Sequence, residues 1–411
     1  MIARGGLYAT PFRGITRGVA LPPDFTLLQV VPELETGGAE QTTIDVARAV
    51  IAAGGRAFVA TRGGRMTARL EADGARLAQM PVQSKNPLVM LGNAARLVDL
   101  IRNEGVSLIH ARSRAPAFSA LSAAQFTHTP FVATYHGVYK AQSGLKRWYN
   151  AVMTRGDLVI ANSDYTRDHV LAEHQVDPHK VIAIPRGVDL DRFNPAWVTP
   201  DRIEALRGAW RIEPGDKRTR FLLAGRLTRI KGHLTIIEAA ARMKAQGRED
   251  FLILFAGDDQ GRSEYGQELA KAIADAGLER EIRIVGHVDD MPAAFLVADV
   301  AILPTTVPES FGRTAVEPQA MGRPVIASNH GGTTETVADR LSGWLVPPGE
   351  AGAWAAAMAR AIDVGPGRRS EMGQSGMNRT RQLYRVDAMC AATLAAYERV
   401  LDARRQAKES A

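Results

Sequence analysis

Two carboxylates and two cations have the types and spacing to bind a phosphorylated, hydroxyl-rich ligand. Glu309 lies in the stretch Pro-Glu-Ser-Phe-Gly, and Glu317 follows it with seven residues between them. Carboxylates accept hydrogen bonds from hydroxyl groups, so this pair could hold a sugar and a ribose. Arg226 and Lys231 follow an apolar run, where a forked guanidinium and an ammonium would suit a diphosphate. Two solvated surface cations are the alternative for that segment taken alone.

Glycine-containing turns could add backbone N–H groups for phosphate. Gly37 and Gly38 follow the first apolar run and lead into a helical pattern, and Ser310-Phe311-Gly312 precedes the helix that carries Glu317. A helix N-terminus offers free N–H groups and a partial positive charge. Neither G-x-G-x-x-G nor G-x-x-x-x-G-K-[ST] occurs in the chain, so dinucleotide and P-loop sites lose their main support.

Other conspicuous polar residues are assigned to structure. Asp189 and Asp191 match a D-x-D metal signature but lie in the turn after an apolar run. We expect turn or capping roles for the pairs 258–259 and 289–290, and a hydrogen-bonded core position for His110. His-x-Glu and Cys-x-x-Cys patterns do not occur, so we expect no metal and no cofactor.

Two successive sets of strands must position these loops. Strand-length apolar runs alternate with helical patterns, which is typical of parallel strands joined by crossover helices. The runs are 27–31, 57–60, 107–110, 131–134, 158–161 and 181–184, then 221–224, 251–256, 282–285, 300–303, 325–327 and 344–346. The sequence therefore predicts an α/β fold of two doubly wound Rossmann-like domains facing across a cleft, with ligands at the carboxyl ends of the strands.

The predicted organisation has four parts. Residues 1–25 form a loose basic leader, residues 26–190 an N-terminal Rossmann-like domain, and residues 191–386 a C-terminal Rossmann-like domain that includes a linker over 191–219. Residues 387–411 form a last helix, mainly over 387–405, that packs back on the N-terminal domain.

Composition narrows the classes of partner. The chain of 411 residues has a formal charge of +7. Residues 1–185 carry 20 Lys and Arg residues and 14 Asp and Glu residues. The remaining residues carry 31 basic and 30 acidic side chains, so most of the net positive charge lies in the first half. An anionic small molecule or a phospholipid surface suits the basic first half, and an ordinary solvated face is the alternative. Zinc-finger and RNA-recognition signatures do not occur, so we expect no nucleic acid.

The same composition bears on location. Cys390 is the single cysteine, so an internal disulfide is excluded and a reducing cytoplasm is favoured. The apolar runs fall short of the roughly 20 residues that a bilayer-crossing helix needs. We expect a cytoplasmic protein, with the cytoplasmic face of the inner membrane as a candidate partner.

The ordered motifs resemble retaining glycosyltransferase family 4 of the GT-B fold, from about Leu27 to Val400. The most specific is Glu309-x7-Glu317, followed by Gly-x-Pro-Val, and its wording resembles bacterial cell-envelope and lipopolysaccharide members. The other matches are Gly37-Gly38, Thr134-Tyr-His136-Gly137, Ala161-Asn-Ser163, Lys180 to Asp189 with Phe193 and Pro195, Gly225-Arg226 and Lys231-Gly232.

The resemblance implies that the N-terminal domain lies on the acceptor side and that the C-terminal domain binds the nucleotide-sugar donor. It also implies a role for each matched position. Arg226 and Lys231 would bind the donor diphosphate and stabilise the charge that develops there, Glu309 would hold sugar hydroxyls, and Glu317 would hold the ribose. His136 would lie beside the sugar and, with Arg226, Lys231 and Glu309, form the catalytic set. The remaining donor-binding residues would be Gly37, Gly38, Val288, Ser310, Phe311 and Gly312. Acceptor contacts are expected from Lys140, Lys146 and Arg147.

The implied activity is metal-independent transfer of a sugar from a UDP-, GDP- or ADP-linked donor to a glycan or glycolipid, such as a lipopolysaccharide core. A nucleotide-sugar epimerase or hydrolase of the same fold is the alternative enzyme, and a non-catalytic nucleotide-sugar-binding subunit is a third, disfavoured class. Two departures from the family pattern are Arg186-Gly187 in place of Asn-Gly, and Pro318 directly after Glu317. We expect Pro318 to fall in the first helical turn, where its missing N–H has no partner to lose.

Overall fold

The chain divides into two compact units. The structure is a computed structural model and describes residues 21–35, 37–139, 143–258, 261 and 263–410. The first unit contains the described residues up to Asn162, together with His169–Ile184 and the residues from Asp387 onward. The second unit contains Ser163–Asp168 and Pro185–Val386. Apart from the short segment Ser163–Asp168, the chain therefore passes to the second unit at Pro185 and returns to the first unit in its last helix.

The first unit is built on a parallel sheet of seven strands among the described residues, in the order β3-β2-β1-β4-β5-β6-β7. Helices follow most strands, as crossover connections require. The elements in chain order are β1 (Thr26–Val30), α1 (Gly38–Ala52), β2 (Arg56–Thr61), α2 (Thr67–Ala72), β3 (Arg76–Gln79), α3 (Pro87–Glu104), β4 (Leu108–Ala111), α4 (Arg114–Thr127), β5 (Phe131–Tyr135), α5 (Gly144–Asn150), β6 (Leu158–Ala161), α6 (Asp164–Glu173) and β7 (Val181–Ala183). The first turn of α6, up to Asp168, belongs to the second unit.

The second unit has a parallel sheet of six strands in its described part, in the order β10-β9-β8-β11-β12-β13. Its elements are α7 (Pro200–Ala209), β8 (Thr219–Ala224), α8 (His233–Ala245), β9 (Phe251–Ala256), α9 (Ser263–Asp275), β10 (Ile282–Gly286), α10 (Met291–Val297), β11 (Val300–Leu303), α11 (Arg313–Ala320), β12 (Val325–Ser328), α12 (Thr333–Thr336), β13 (Gly343–Val346), α13 (Ala351–Asp363) and α14 (Gly365–Leu383), and α15 (Val386–Glu409) follows them.

The strands form where the sequence has apolar runs because a parallel sheet is covered on both faces. Every residue of β9 is buried, as is every residue of β1, β4, β5 and β6. Each predicted run became a strand, and the two-unit α/β architecture is confirmed. Sequence patterns missed β3, an edge strand whose residues are all at least partly exposed.

Three sequence expectations need comment. The segment predicted as a linker over 191–219 contains helix α7, which packs on α10, so it is part of the second unit. Pro318 is the sixth residue of α11 and not in its first turn. Its ring removes one hydrogen bond to Thr314 O, a tolerable loss because α11 ends two residues later at Ala320. Most of the predicted leader lies outside the described residues, as do Lys140 and Asp259.

The last helix, α15, belongs to the first unit except for its first residue, Val386. Tyr397 is fully buried and stacks on Phe25 with the ring centroids 6.2 Å apart. Further along α15, Arg404 makes a two-pronged ion pair with Asp157. Among the described residues, the helices lack the combination of length and apolarity needed to cross a bilayer.

The segment around Gly187 is held against the chain that precedes α15. Val188 N donates to Tyr384 O at 2.7 Å, and Val386 N donates to Val188 O at 3.3 Å. A Cβ on Gly187 would lie 2.2 Å from Val386 Cα, so only glycine allows this approach. The Arg186-Gly187 departure thus keeps the residue that the packing needs.

Candidate functional site

The carboxyl ends of β8 and β11 form the natural ligand position of the second unit. These strands are neighbours, and the strand order reverses between them, because β9 and β10 lie on one side and β12 and β13 on the other. Open parallel sheets bind ligands at such a reversal. Gly225 and Arg226 directly follow β8, and the loop 304–312 follows β11.

Lys231 and Glu309 meet at this edge. Lys231 Nζ lies 2.6 Å from Glu309 Oε1, and the two side chains are 15% and 26% exposed. Gly232 makes the approach possible: its φ is +76°, and a Cβ there would lie 1.8 Å from Pro304 O. The two loops are also joined by the hydrogen bond from Thr306 N to Ile230 O at 3.0 Å. A cation and a carboxylate are therefore fixed side by side, each accessible to a ligand.

Arg226 is exposed at the same edge. It lies in the turn from β8 to Lys231, and Leu227 N anchors that turn by donating to Asp258 O at 2.9 Å. The predicted pair of cations thus falls in one loop of the second unit, at the strand-order reversal.

Two consecutive glycines, Gly331 and Gly332, support the Glu309 backbone. Gly332 N donates to Glu309 O at 2.7 Å, and Gly331 forms an isolated bridge with Glu309. A Cβ on Gly331, whose φ is +64°, would lie 2.5 Å from Glu309 O. The signal for this role was the pair itself, which follows β12, the strand next to β11.

The Ser310-Phe311-Gly312 turn is fixed on several sides. Ser310 O accepts hydrogen bonds from Ser163 Oγ and from Thr166 Oγ1, the latter at 3.2 Å. The Phe311 side chain is 2% exposed and packs edge-on against Tyr384. Its ring is therefore a core group, which leaves only the backbone of Phe311 for the predicted donor contact.

Glu335 was missed by sequence reasoning and holds the first turn of α6 in place. Its carboxylate accepts from Tyr165 N at 2.6 Å and Asp164 N at 3.1 Å. Burial raises the pKa of Glu335 from its ordinary value, against the opposing effect of these two N–H groups. Because Ser163 and Thr166 adjoin this turn, Glu335 indirectly positions Ser310. An acidic residue in the short helix α12 gave no distinctive signal.

Glu317 lies one turn into α11, as predicted. It is 9% exposed, and its Oε1 accepts from Arg313 Nη2 at 2.7 Å and Arg313 Nε at 3.1 Å. Gly312, with a φ of +88°, directly precedes the helix. Arg313 and Glu317 share one face of α11 because they are four residues apart.

Val288 follows β10, the far edge of the sheet, and its half-buried side chain packs on an apolar cluster.

Asp290 caps α10 by accepting from Ala293 N and pairs with Arg202, which confirms its predicted structural role. Asp189 Oδ1 accepts from the backbone N–H groups of Asp191 and Arg192, as expected of a turn residue. In the described ranges, groups of three or more His, Cys, Asp or Glu side chains arranged to hold a metal do not occur.

The first unit carries the other predicted residues. His136 directly follows β5, and Gly37 and Gly38 stand at the start of α1 after β1. A Cβ on Gly37 would meet only the flexible Glu40 side chain, so the packing of the unit does not itself demand glycine at this position. Lys146 and Arg147 are exposed on α5.

A buried polar network lies close to His136. His110 is fully buried; its Nδ1 shares a hydrogen bond with Tyr397 Oη at 2.5 Å, and its Nε2 shares one with Thr134 Oγ1 at 2.6 Å. Burial lowers the pKa of His110 well below its ordinary value, and the nearby charges of Arg112 and His136 act in the same direction. His110 is therefore a neutral core histidine, as the sequence predicted.

Arg112 was not singled out by the sequence. It directly follows β4 and is 2% exposed. Its Nε donates to Gln29 Oε1 at 2.9 Å, and burial lowers the pKa of the guanidinium. The strand order of the first unit reverses between β1, which carries Gln29, and β4. An arginine directly after an apolar run was the available signal.

The chain thus consists of two Rossmann-like α/β units, the second with a cation–carboxylate pair at its strand-order reversal. Residues 36–192 match the family described as Glycosyltransferase Family 4, and residues 209–379 match Glycosyl transferases group 1. The crystal structure of a glycosyltransferase from Rickettsia africae ESF-5 is similar, with a TM-score of 0.85 and 32% identity, over 92% of this chain and 99% of that one.

The chain belongs to glycosyltransferase family 4, with the GT-B fold. A D-inositol 3-phosphate glycosyltransferase of Geodermatophilus obscurus is 32% identical over 266 residues, which is 62% of this chain and 56% of that protein. The chain thus spans about half the length of the curated relatives that it matches. Anabaena HepE in complex with UDP-glucose shares the fold, with a TM-score of 0.78 and 24% identity over 90% of this chain and 99% of that one.

Proposed function

We propose that this protein transfers a sugar from a nucleoside diphosphate sugar to a hydroxyl group of a phosphorylated acceptor, with retention of configuration and without a metal. The observation that carries the proposal is the ion pair of Lys231 and Glu309 at the strand-order reversal. Lys231 lies five residues after Arg226 in the same loop. Two cations suit a diphosphate, and a carboxylate suits sugar hydroxyls. The UDP-glucose bound to the Anabaena neighbour supports a donor of this type.

The charge that develops in the reaction explains the need for the cations. The acceptor oxygen bonds to the anomeric carbon while the bond from that carbon to the phosphate oxygen breaks, and its electron pair leaves with the diphosphate. Arg226 and Lys231 stabilise the growing negative charge, and a leaving phosphate oxygen takes the acceptor proton. Loss of one preorganised contact of this kind costs about 3 kcal/mol, or about a hundredfold in rate.

The acceptor is proposed to be a phosphorylated sugar or polyol of the cell envelope, free or lipid-linked. The excess of basic residues in residues 1–185 supports an anionic acceptor. The curated relatives are named for D-inositol 3-phosphate, a phosphorylated polyol. A lipopolysaccharide core as the specific acceptor stays a prediction, and so does association with the cytoplasmic face of the inner membrane.

Calorimetric titration with UDP, GDP and ADP tests the donor site. We expect one of the three nucleotides to bind to the wild type, and its identity indicates the donor class. Its affinity for the Arg226→Ala, Lys231→Ala variant should be lower. Product analysis with radiolabelled donor, with and without inositol phosphate or envelope extract, then tests transfer. Label appearing in a new product only with acceptor supports the proposal. Epimerised or hydrolysed donor without acceptor would support the alternative enzyme instead.

A further inference from the structure

An exposed apolar and basic surface lies on the first unit, outside the residues assigned to the donor. On α5, Leu145 is 77% exposed and Trp148 is 53% exposed, and Lys146 and Arg147 between them are exposed as well. Exposure of apolar leucine and tryptophan surface to water is unfavourable, and a contiguous exposed apolar patch marks an interaction site. We call Leu88, Leu91, Leu145, Lys146, Arg147 and Trp148 the apolar–basic surface.

Helix α3 contributes the second part of this surface. Leu88 and Leu91 are 79% and 70% exposed and stand three residues apart, on one face of the first turns of α3. Both helices pack on α4: Trp148 lies 5.6 Å from Phe118 between ring centroids, and Ser119 Oγ donates to Met90 O at 2.9 Å. Helices α3 and α5, which carry the exposed leucines and the tryptophan, thus contact adjacent residues of α4.

All of these residues lie toward the carboxyl edge of the first sheet. Helix α3 begins after β3, α4 after β4, and α5 after β5, so the starts of the three helices share one edge of the parallel sheet. A further cation lies beside Trp148: the Arg155 guanidinium is 5.2 Å from the centre of the Trp148 ring. Tryptophan beside lysine and arginine is the combination that favours the interface of a bilayer with anionic lipids.

We propose that the apolar–basic surface docks on an anionic lipid bilayer. Leu88, Leu91, Leu145 and Trp148 enter the boundary between headgroups and acyl chains, while Lys146 and Arg147 contact lipid phosphates. This deepens the proposed function, because it brings the carboxyl edge of the first unit to a membrane where lipid-linked acceptors reside. Docking itself requires neither donor nor acceptor. The charge of the surface selects a lipid over an uncharged protein partner.

Co-sedimentation of the full chain with vesicles tests the docking. We use phosphatidylcholine alone and phosphatidylcholine mixed with phosphatidylglycerol, without nucleotide. The wild type is expected to sediment with the mixed vesicles, and each neutralised cation in Lys146→Gln, Arg147→Gln should weaken binding about fivefold. The Leu145→Ser, Trp148→Ala variant should lose binding to the mixed vesicles.

Trp197→Ala is the matched control. Trp197 is 65% exposed, but it belongs to the second unit, so its loss should leave sedimentation unchanged. Wild type that stays in the supernatant with mixed vesicles, or a Leu145→Ser, Trp148→Ala variant that binds like the wild type, overturns the proposal. So does self-association in gel filtration that the same two substitutions abolish. Titration of UDP is measured in parallel, so a failed donor site is distinguished from failed docking.

Discussion

At the scale of single residues, we expect Lys231 and Glu309 to differ in their effects on donor binding and on sugar transfer. Glu309 places a negative charge 2.6 Å from the cation that the diphosphate needs. Removing that charge in Glu309→Gln should leave UDP affinity unchanged or raise it, while turnover falls about a hundredfold. In Lys231→Gln, UDP affinity should fall about tenfold or more, together with turnover. Calorimetry and initial rates with the cognate donor measure the two effects.

The control for this prediction is a second lysine–glutamate pair in the same unit. Lys244 Nζ lies 3.1 Å from Glu281 Oε2, on α8 and just before β10, at the amino end of that strand. Lys244→Gln should change neither UDP affinity nor turnover. Equal losses of UDP affinity in Glu309→Gln and Lys231→Gln would contradict the division of roles.

His233 couples the stability of the second unit to pH. It directly follows Gly232, is fully buried, and lies edge-on to Phe255 with ring centroids 5.0 Å apart. Burial lowers its pKa to about 4, against a smaller opposing contribution from the Thr228 backbone. Below pH 6.5 the unfolded chain gains a proton that the folded chain does not. Stability is therefore lost between pH 6.5 and 4, by about 2 kcal/mol from pH 7 to pH 5.

Denaturant unfolding followed by tryptophan fluorescence measures this effect, in a Trp148→Phe background where the remaining tryptophans all lie in the second unit. His233→Leu should remove the corresponding part of the pH dependence. The matched exposed substitution, His287→Leu, should retain it. An identical pH dependence in His233→Leu and the parent would show that another group is responsible.

At the scale of elements, the loop 304–312 depends on the first turn of α6. Glu335 accepts from two N–H groups of that turn, and Ser163 and Thr166 hold Ser310 O. Glu335→Ala leaves those N–H groups without their acceptor, so Ser310 loses its fixed position. We expect donor KM to rise about five- to tenfold, corresponding to roughly 1–1.5 kcal/mol. Glu335→Gln, which keeps an acceptor oxygen, should recover much of the loss.

The exposed Glu371 of α14 provides the comparison. Glu371→Ala should leave KM unchanged, and hydrogen exchange should show faster amide exchange of residues 309–312 in Glu335→Ala alone. If KM in Glu335→Ala equals that of the wild type, α6 does not position the loop.

Elements buried on both faces were predictable because burial leaves a continuous apolar run. β9, with six buried residues, coincides with its predicted range, whereas the exposed edge strand β3 left no run to find. Helix α7 escaped notice because its described residues include none that are fully buried. Pro318 was placed in the wrong turn because the sequence does not show that α11 begins as early as Arg313.

The same contrast holds for the candidate site. Motif spacing named Lys231 and Glu309, and the structure brings them into contact. The supports of this loop were beyond sequence reasoning. Gly331 packs against the Glu309 backbone, and Glu335 holds the turn that fixes Ser310, both from positions distant along the chain. Contacts that depend on which strands are neighbours become visible only once the strand order is known.

At the scale of the whole molecule, the first unit depends on α15, a helix that follows the second unit in the sequence. The only part of α15 outside the first unit is Val386, and Tyr397 meets both His110 and Phe25. A chain that ends at Val386 keeps the hydrogen bond from Val386 N to Val188 O but removes these contacts. We expect its first unit to unfold while the second stays folded.

Hydrogen exchange and UDP titration of the shortened chain measure the two outcomes separately. Amides of β1 and β4 should lose protection, because His110 and Phe25 become exposed, while amides of β8 and β11 keep it and UDP still binds. Tyr397→Phe, which removes only the hydroxyl shared with His110, should cost about 1–2 kcal/mol and leave the full chain folded. Retained protection of β1 and β4 in the shortened chain would mean that the first unit folds without α15. In that case the return of the chain would not be what stabilises it.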